Sequence, residues 1–127
     1  MVKKSSFGKI SVPKGALPTD KELIVAGIIV NKGYNVSFIP VGELHSPDVH
    51  FDGKDWEIKS PEGNSSKTIN NIIRRALHQS PNIIIDLQFI KIPEEKAIRD
   101  IKTQISLTKS IKHLWIVTKK RKIIELL

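Results

Sequence analysis

The chain contains no cysteine, which excludes both a disulfide framework and a thiolate metal centre. Any metal must therefore be held by carboxylates, histidines, backbone carbonyls and water, a hard-ligand set that suits Mg2+ or Mn2+. Long hydrophobic runs are also missing. The longest, residues 24–30, falls far below the roughly 20 apolar residues needed to cross a bilayer, so no membrane span is expected. The N-terminal lysines are not followed by a hydrophobic stretch and cleavage site, so no signal peptide is expected. The chain is expected to work in an aqueous compartment, or to reach one as the passenger of something larger. Acids are scarce: 13 Asp and Glu against 21 Lys and Arg give a formal net charge of +8. That sign points to a polyanionic partner, with simple solubility as the alternative.

What is present fits one domain. A length of 127 residues allows a real core without a second module. Residues 1–18 carry Lys3, Lys4, Lys9 and Lys14 with no acid, together with Gly8, Pro13, Gly15 and Pro18. They read as a basic N-terminal arm or linker, and residues 19–127 as a single folded domain. Thr19 with Glu22 fits a capping box for a buried, apolar helix that Gly33 stops. Strands are expected over 34–41, 47–51 and 54–60. A helix capped by Ser66 should follow, burying Ile69, Ile72, Ile73, Ala76 and Leu77. Residues 83–89 read as a central strand covered on both faces. Pro93 opens a third helix, and a hairpin turned at 119–121 closes the chain. The order predicts an α/β (α+β) layered domain with helices packed on a mixed sheet.

The most informative stretch is residues 47–59. Asp52-Gly53 between two alternating runs is a strong hairpin signal, because a type I′ turn needs positive φ at both central residues. That turn sets Val49 opposite Trp56 and Asp48 opposite Glu57. Val49, Phe51, Trp56 and Ile58 then share one apolar face, while Asp48, His50, Asp55, Glu57 and Lys59 share the other. Two opposed carboxylates repel unless a cation lies between them. A divalent-ion site would resolve the repulsion, with Lys59 orienting water or neutralising developing charge. The alternative is an exposed face dressed in charges, with Lys59 as a local counterion.

Pro47-Asp48 followed by Glu57-Ile58-Lys59 resembles the PD-(D/E)XK motif of the restriction-endonuclease-like nuclease superfamily. That superfamily places its acid and its E-x-K on adjacent strands of an αβββαβ core, the element order expected here. A wider set of residues is Asp48, Gly53, Trp56-Glu57, Lys59-Ser60-Pro61, Gly63-Asn64-Ser65, Thr68-Ile69, Gln79-Ser80 and Ile83-Ile84-Ile85-Asp86-Leu87. It is similar to the C-terminal tRNase toxin domains of contact-dependent growth inhibition (CdiA) proteins. The resemblance implies a metal-dependent endonuclease that cuts structured RNA, with tRNA as the expected substrate. It also implies a cognate immunity protein, and delivery into the cytoplasm of target bacterial cells as part of a larger protein. Asp48, Glu57 and Lys59 are the implied catalytic residues, with Asp48 and Glu57 as metal ligands.

Glu22, in the first turn of the first helix, is a candidate third ligand, its alternative being the capping box alone. Glu43 is a further acid that could reach the same ion, or a solvated loop residue. Ser60, Asn64, Ser66 and Thr68 precede a helix N-terminus, a natural place for phosphate. Arg74, Arg75 and His78 lie on the polar face of that helix and could hold nucleic-acid backbone, or form a solvated face. Two other readings stay open. One is a metal-free RNase of the barnase/EndoU/RelE type using Lys59, His78 or Thr68. The other is a non-catalytic nucleic-acid-binding module.

Overall fold

The computed structural model describes residues 8–42 and 46–127. Ten elements run in the order β1 (Ile10–Ser11), α1 (Asp20–Asn31), β2 (Val36–Phe38), β3 (Val49–Phe51), β4 (Lys54–Lys59), α2 (Thr68–Leu77), β5 (Asn82–Asp86), α3 (Glu94–Leu107), β6 (His113–Val117) and β7 (Ile123–Glu125). The strands lie side by side in sequence order as one mixed seven-stranded sheet. β4, β5 and β6 are parallel, so their C-terminal ends share one edge. β2–β3, β3–β4 and β6–β7 pair antiparallel. This is the α+β fold expected. Among the described residues no helix is long and apolar enough to cross a membrane.

Alternation along the strands divides the core in two. Trp56, Ile58, Ile84, Trp115 and Val117 face α1 and pack on Val25, Ala26, Ile29 and Val30. Ile83, Ile85, Leu114 and Ile116 face the other way, against Ile69, Ile73 and Ala76 of α2 and Ala97 and Ile101 of α3. The central strands β5 and β6 are covered on both faces, which is why they read as continuous apolar runs. Phe51 and Trp56 stack at 4.7 Å between ring centroids, and Trp115 closes on both at 5.3 and 5.0 Å. These rings press the β3–β4 hairpin onto the core.

The local chemistry is largely as the sequence predicts. Thr19 and Glu22 form a reciprocal capping box, and Gly33 ends α1 at φ 106°. Asp52 and Gly53 both take positive φ, 54° and 72°, as the type I′ turn requires. Two readings are corrected. The segment assigned to an arm is in part a folded element: Ile10–Ser11 pair in parallel with Val36–Ser37, and Ala16 is buried in the α1 core. Lys9 and Lys14 are exposed while the backbone of Ile10–Ser11 completes the sheet edge. Ser66 does not cap α2 either. The N-cap is Lys67, which makes no side-chain capping bond; Ser65 Oγ instead accepts the Lys67 N–H at 3.1 Å. The turn is set by close packing, since a Cβ on Gly63 would lie 2.5 Å from Thr68 Oγ1.

Candidate active site

Asp48, immediately before β3, and Glu57 of β4 are the predicted acids, but they do not stand in strict register. The ladder pairs Val49 with Trp56 and ends there. Beyond it the Asp48 N–H donates to Trp56 O at 2.9 Å, one residue out of step with that register. Two residues of β3 therefore oppose one of β4, a bulge that re-aims the extra side chain. Asp48 is consequently not set squarely opposite Glu57 as the turn alone predicts. Its carbonyl accepts the Ile39 N–H at 2.9 Å, and its Oδ2 accepts the Ile58 N–H at 2.8 Å. The Trp56 and Ile39 bonds fix the Asp48 backbone, and the Ile58 bond holds its carboxylate against β4.

Glu57 and Lys59 share ladder positions with Ile83 and Ile85, so both project from the α2–α3 face. α2 covers that position, and Glu57 is only 5% exposed. Lys59 Nζ lies 3.2 Å from Glu57 Oε2. Glu57 Oε1 is buried and has no hydrogen-bond partner. An orphaned carboxylate oxygen in a native core calls for a ligand or a proton. Burial, reinforced by the neighbouring Asp48 charge, pushes the Glu57 carboxyl up to about 8, with Lys59 pulling it down. Burial also raises Asp48, opposed by its bond from Ile58, by the bond a protonated Glu57 donates to it, and by Lys59. Glu22 is raised by burial and by Asp48, against the pull of its Thr19 capping bond and of Lys59. Glu22 is thus an electrostatic neighbour of both Asp48 and Lys59, although its Oε1 accepts the Thr19 N–H at 3.1 Å.

The other predicted residues divide. A cavity of about 290 Å³ is lined by Glu22 and Asp48 with Phe38, Ile39 and Pro47. A second, of about 380 Å³, is lined by Lys59, Ser60, Thr68 and Arg75 together with Ser65 and Asn71. Asn64, Arg74 and His78 are exposed outside both, and Ser66 borders a separate hollow with Lys67 and Asp100. Glu43 lies outside the described residues. Sequence reasoning missed Ser65 and Asn71. The signal was available for Asn71: Thr68, Asn71 and Arg75 recur at i, i+3 and i+7, one stripe of a helix, whereas Arg74 falls off it.

Ser60 is not a free hydroxyl. It donates to Asp86 Oδ2 at 2.9 Å, and the other Asp86 oxygen accepts from the Gln88 backbone and Gln88 Nε2, both at 3.0 Å. Asp86 is fully buried and satisfied by these donors, a structural role. Asp86→Ala leaves them unpaired and is expected to lower stability by about 2–4 kcal/mol in urea denaturation.

Among the described residues no group of three or more histidines and acids stands close enough to enclose an ion alone. Two buried-edge carboxylates with an orphaned oxygen still fit a hard divalent cation. Mg2+ in particular is usually bound by one or two carboxylates while retaining water and taking up substrate phosphate.

A comparison with curated proteins finds no match. Among solved structures, the fold is similar to a chain of the CdiA-CT/CdiI toxin and immunity complex from Burkholderia pseudomallei. The TM-score is 0.69 at 21% identity, covering 94% of this chain and 98% of that one. The family model for the contact-dependent growth inhibition CdiA C-terminal domain matches residues 45–123, more than half of the chain and the whole stretch from the β3–β4 hairpin to β7. The chain therefore belongs to the contact-dependent growth inhibition CdiA C-terminal domain family and is a bacterial toxin domain.

Proposed function

We propose that this toxin domain is a divalent-metal-dependent endonuclease of the PD-(D/E)XK type that cleaves structured RNA, with tRNA as the foremost substrate. The observation that carries the reading is Glu57. It is a buried carboxyl with one oxygen unpartnered, beside a second acid and 3.2 Å from a lysine. Such an arrangement destabilises the fold unless a cation or proton relieves it. A function is the simplest reason for keeping it.

Asp48 and Glu57 would hold Mg2+ or Mn2+, with Glu22, which lines the same cavity as Asp48, as a further acid near the ion. The ion, when bound, polarises the scissile phosphodiester and acidifies a water. Lys59 orients that water and offsets charge developing on the phosphate. The cavity beside it, with Thr68, Asn71 and Arg75, gives the chain's backbone phosphates a place to sit. Asn64, Ser66, Arg74 and His78 would touch substrate only farther out. The fold-level likeness to a toxin in complex with its immunity protein supports a cognate immunity partner for this domain, and delivery into target cells within a larger protein follows from the family.

Incubation of the purified protein with total tRNA and with plasmid DNA, each with Mg2+ or with EDTA, tests this directly. The expected result is discrete tRNA fragments with Mg2+ and none with EDTA. Cleavage that persists in EDTA with cyclic phosphate ends would replace it with the metal-free RNase. Salt-sensitive binding without any turnover would replace it with the binding module.

A further inference from the structure

We propose that the β6–β7 turn, with Arg121 at its left-handed position, is a second grip on the nucleic-acid backbone, on the same edge of the sheet as Lys59. The inference rests on the nuclease reading for its substrate, but its observations are independent of the acidic site.

The turn is a three-residue loop, Lys119-Lys120-Arg121. Arg121 N–H donates to Thr118 O at 2.9 Å, and Thr118 N–H to Lys122 O at 2.8 Å. Loops of this length follow a β-turn with one left-handed residue, a position that favours glycine. Here it is Arg121, at φ 64°. A side chain is kept where its absence would ease the backbone, and an observed outlier of this kind is a pointer to function.

That side chain is also aimed. Arg121 Nε donates to Gln88 Oε1 at 3.0 Å, Gln88 Nε2 to Asp86 Oδ1 at 3.0 Å, and Ser60 Oγ to Asp86 Oδ2 at 2.9 Å. A continuous chain of side-chain bonds thus links the turn to the residue after Lys59. Because Nε is used, the remaining guanidinium N–H groups are left for an outside acceptor. A guanidinium matches a phosphate bidentately. Lys119, Lys120, Arg121 and Lys122 are all exposed, and among the described residues none forms a salt bridge. β4 and β6 are two strand spacings apart, about 10 Å. Arg121 lines a hollow with Ile24, Gly27 and Asn31 of α1 while Lys59 projects on the α2–α3 side, so a polyanion that engages both crosses the C-terminal ends of the strands between them. An acidic protein would meet the lysines equally well. It gains nothing, however, from the chain of bonds that registers Arg121 on the catalytic edge.

The test measures binding of bulk tRNA by full-length protein in a Glu57→Gln background, comparing Arg121 with Arg121→Gly across a salt series. Expected is a roughly 5–10-fold weaker affinity at about 0.1 M salt, with the log–log salt slope reduced by about one. Thermal stability should be unchanged or higher, because glycine accepts the backbone. A Lys119→Gln, Lys120→Gln pair should weaken binding in the same direction. Unchanged affinity and slope in Arg121→Gly would overturn the proposal even if wild-type protein cleaves tRNA. The same holds if wild type fails to bind tRNA, or if only an acidic protein's hold is weakened. Binding lost in Arg121→Gly while wild type cuts nothing would sustain this grip and sink the nuclease.

Discussion

Glu57→Gln is expected to abolish cleavage and, in the absence of metal, to make the protein more stable. The two effects share one cause. The Glu57 carboxyl is pushed up to about 8 from 4.5, chiefly by burial and then by Asp48. Between those values the folded chain binds a proton that the unfolded chain has released. Stability contributed by this group is therefore intact below about pH 4.5 and lost as pH rises through about 8. At one pKa unit per 1.36 kcal/mol the penalty is on the order of a few kcal/mol, fully expressed above pH 8. Glutamine removes the titration. Its carbonyl can still accept from Lys59, and its amide can face Asp48. The variant should melt on the order of ten degrees higher than wild type at pH 8.5 without metal, at roughly 3–5 °C per kcal/mol for this size. Near pH 4.5 the gap should close. Excess Mg2+ should reverse the order, since the ion stabilises only a protein that binds it. Cleavage should fall by about 10²–10³ or more. Thermal melts at several pH values, with and without Mg2+, decide it. A variant less stable than wild type at pH 8.5 would show that the buried charge is already satisfied.

The hairpin that carries this chemistry was legible because its information is local. Asp52-Gly53 fixes a turn, and alternation from Val49 to Ile58 fixes a face. What escaped depends on distant groups. Glu57 sits on a face that reads as solvated charge, and only α2, folding back from the far side of a loop, buries it. At Asp48 the backbone N–H is taken by Trp56 of β4 and the C=O by Ile39, just past β2, two distant partners that no local pattern announces. Ile10–Ser11 form a strand only through β2, some 26 residues on, and their Lys- and Pro-rich neighbourhood gives no period to read. Arg121 occupies a turn position where the local rule expects glycine. Local and global preferences part at Glu57, Asp48 and Arg121. Such conflicts are expected to concentrate where function constrains the chain.

Lys59→Ala is expected to cut cleavage by about 10²–10³ while leaving Mg2+ binding as strong as in wild type or stronger. Lys59 is the cation that draws both Glu57 and Asp48 down from their burial-raised values. Its removal therefore raises both further in the metal-free protein, because the negative cluster loses its internal counterion. A divalent ion entering that cluster then meets one positive charge fewer. The Mg2+-induced rise in melting temperature, compared at a pH well above the Glu57 value of either protein so that both carboxyls are ionised, should be at least as large as in wild type. In Glu57→Gln, by contrast, that rise should shrink with the activity. The pair of variants separates holding the ion from acting on the phosphate, which cleavage assays alone cannot do. Single-turnover cleavage of tRNA beside a Mg2+ thermal shift gives both readings. Full-rate cleavage by Lys59→Ala would remove it from the chemistry. A lost Mg2+ shift would recast it as the group that keeps the two carboxylates in place.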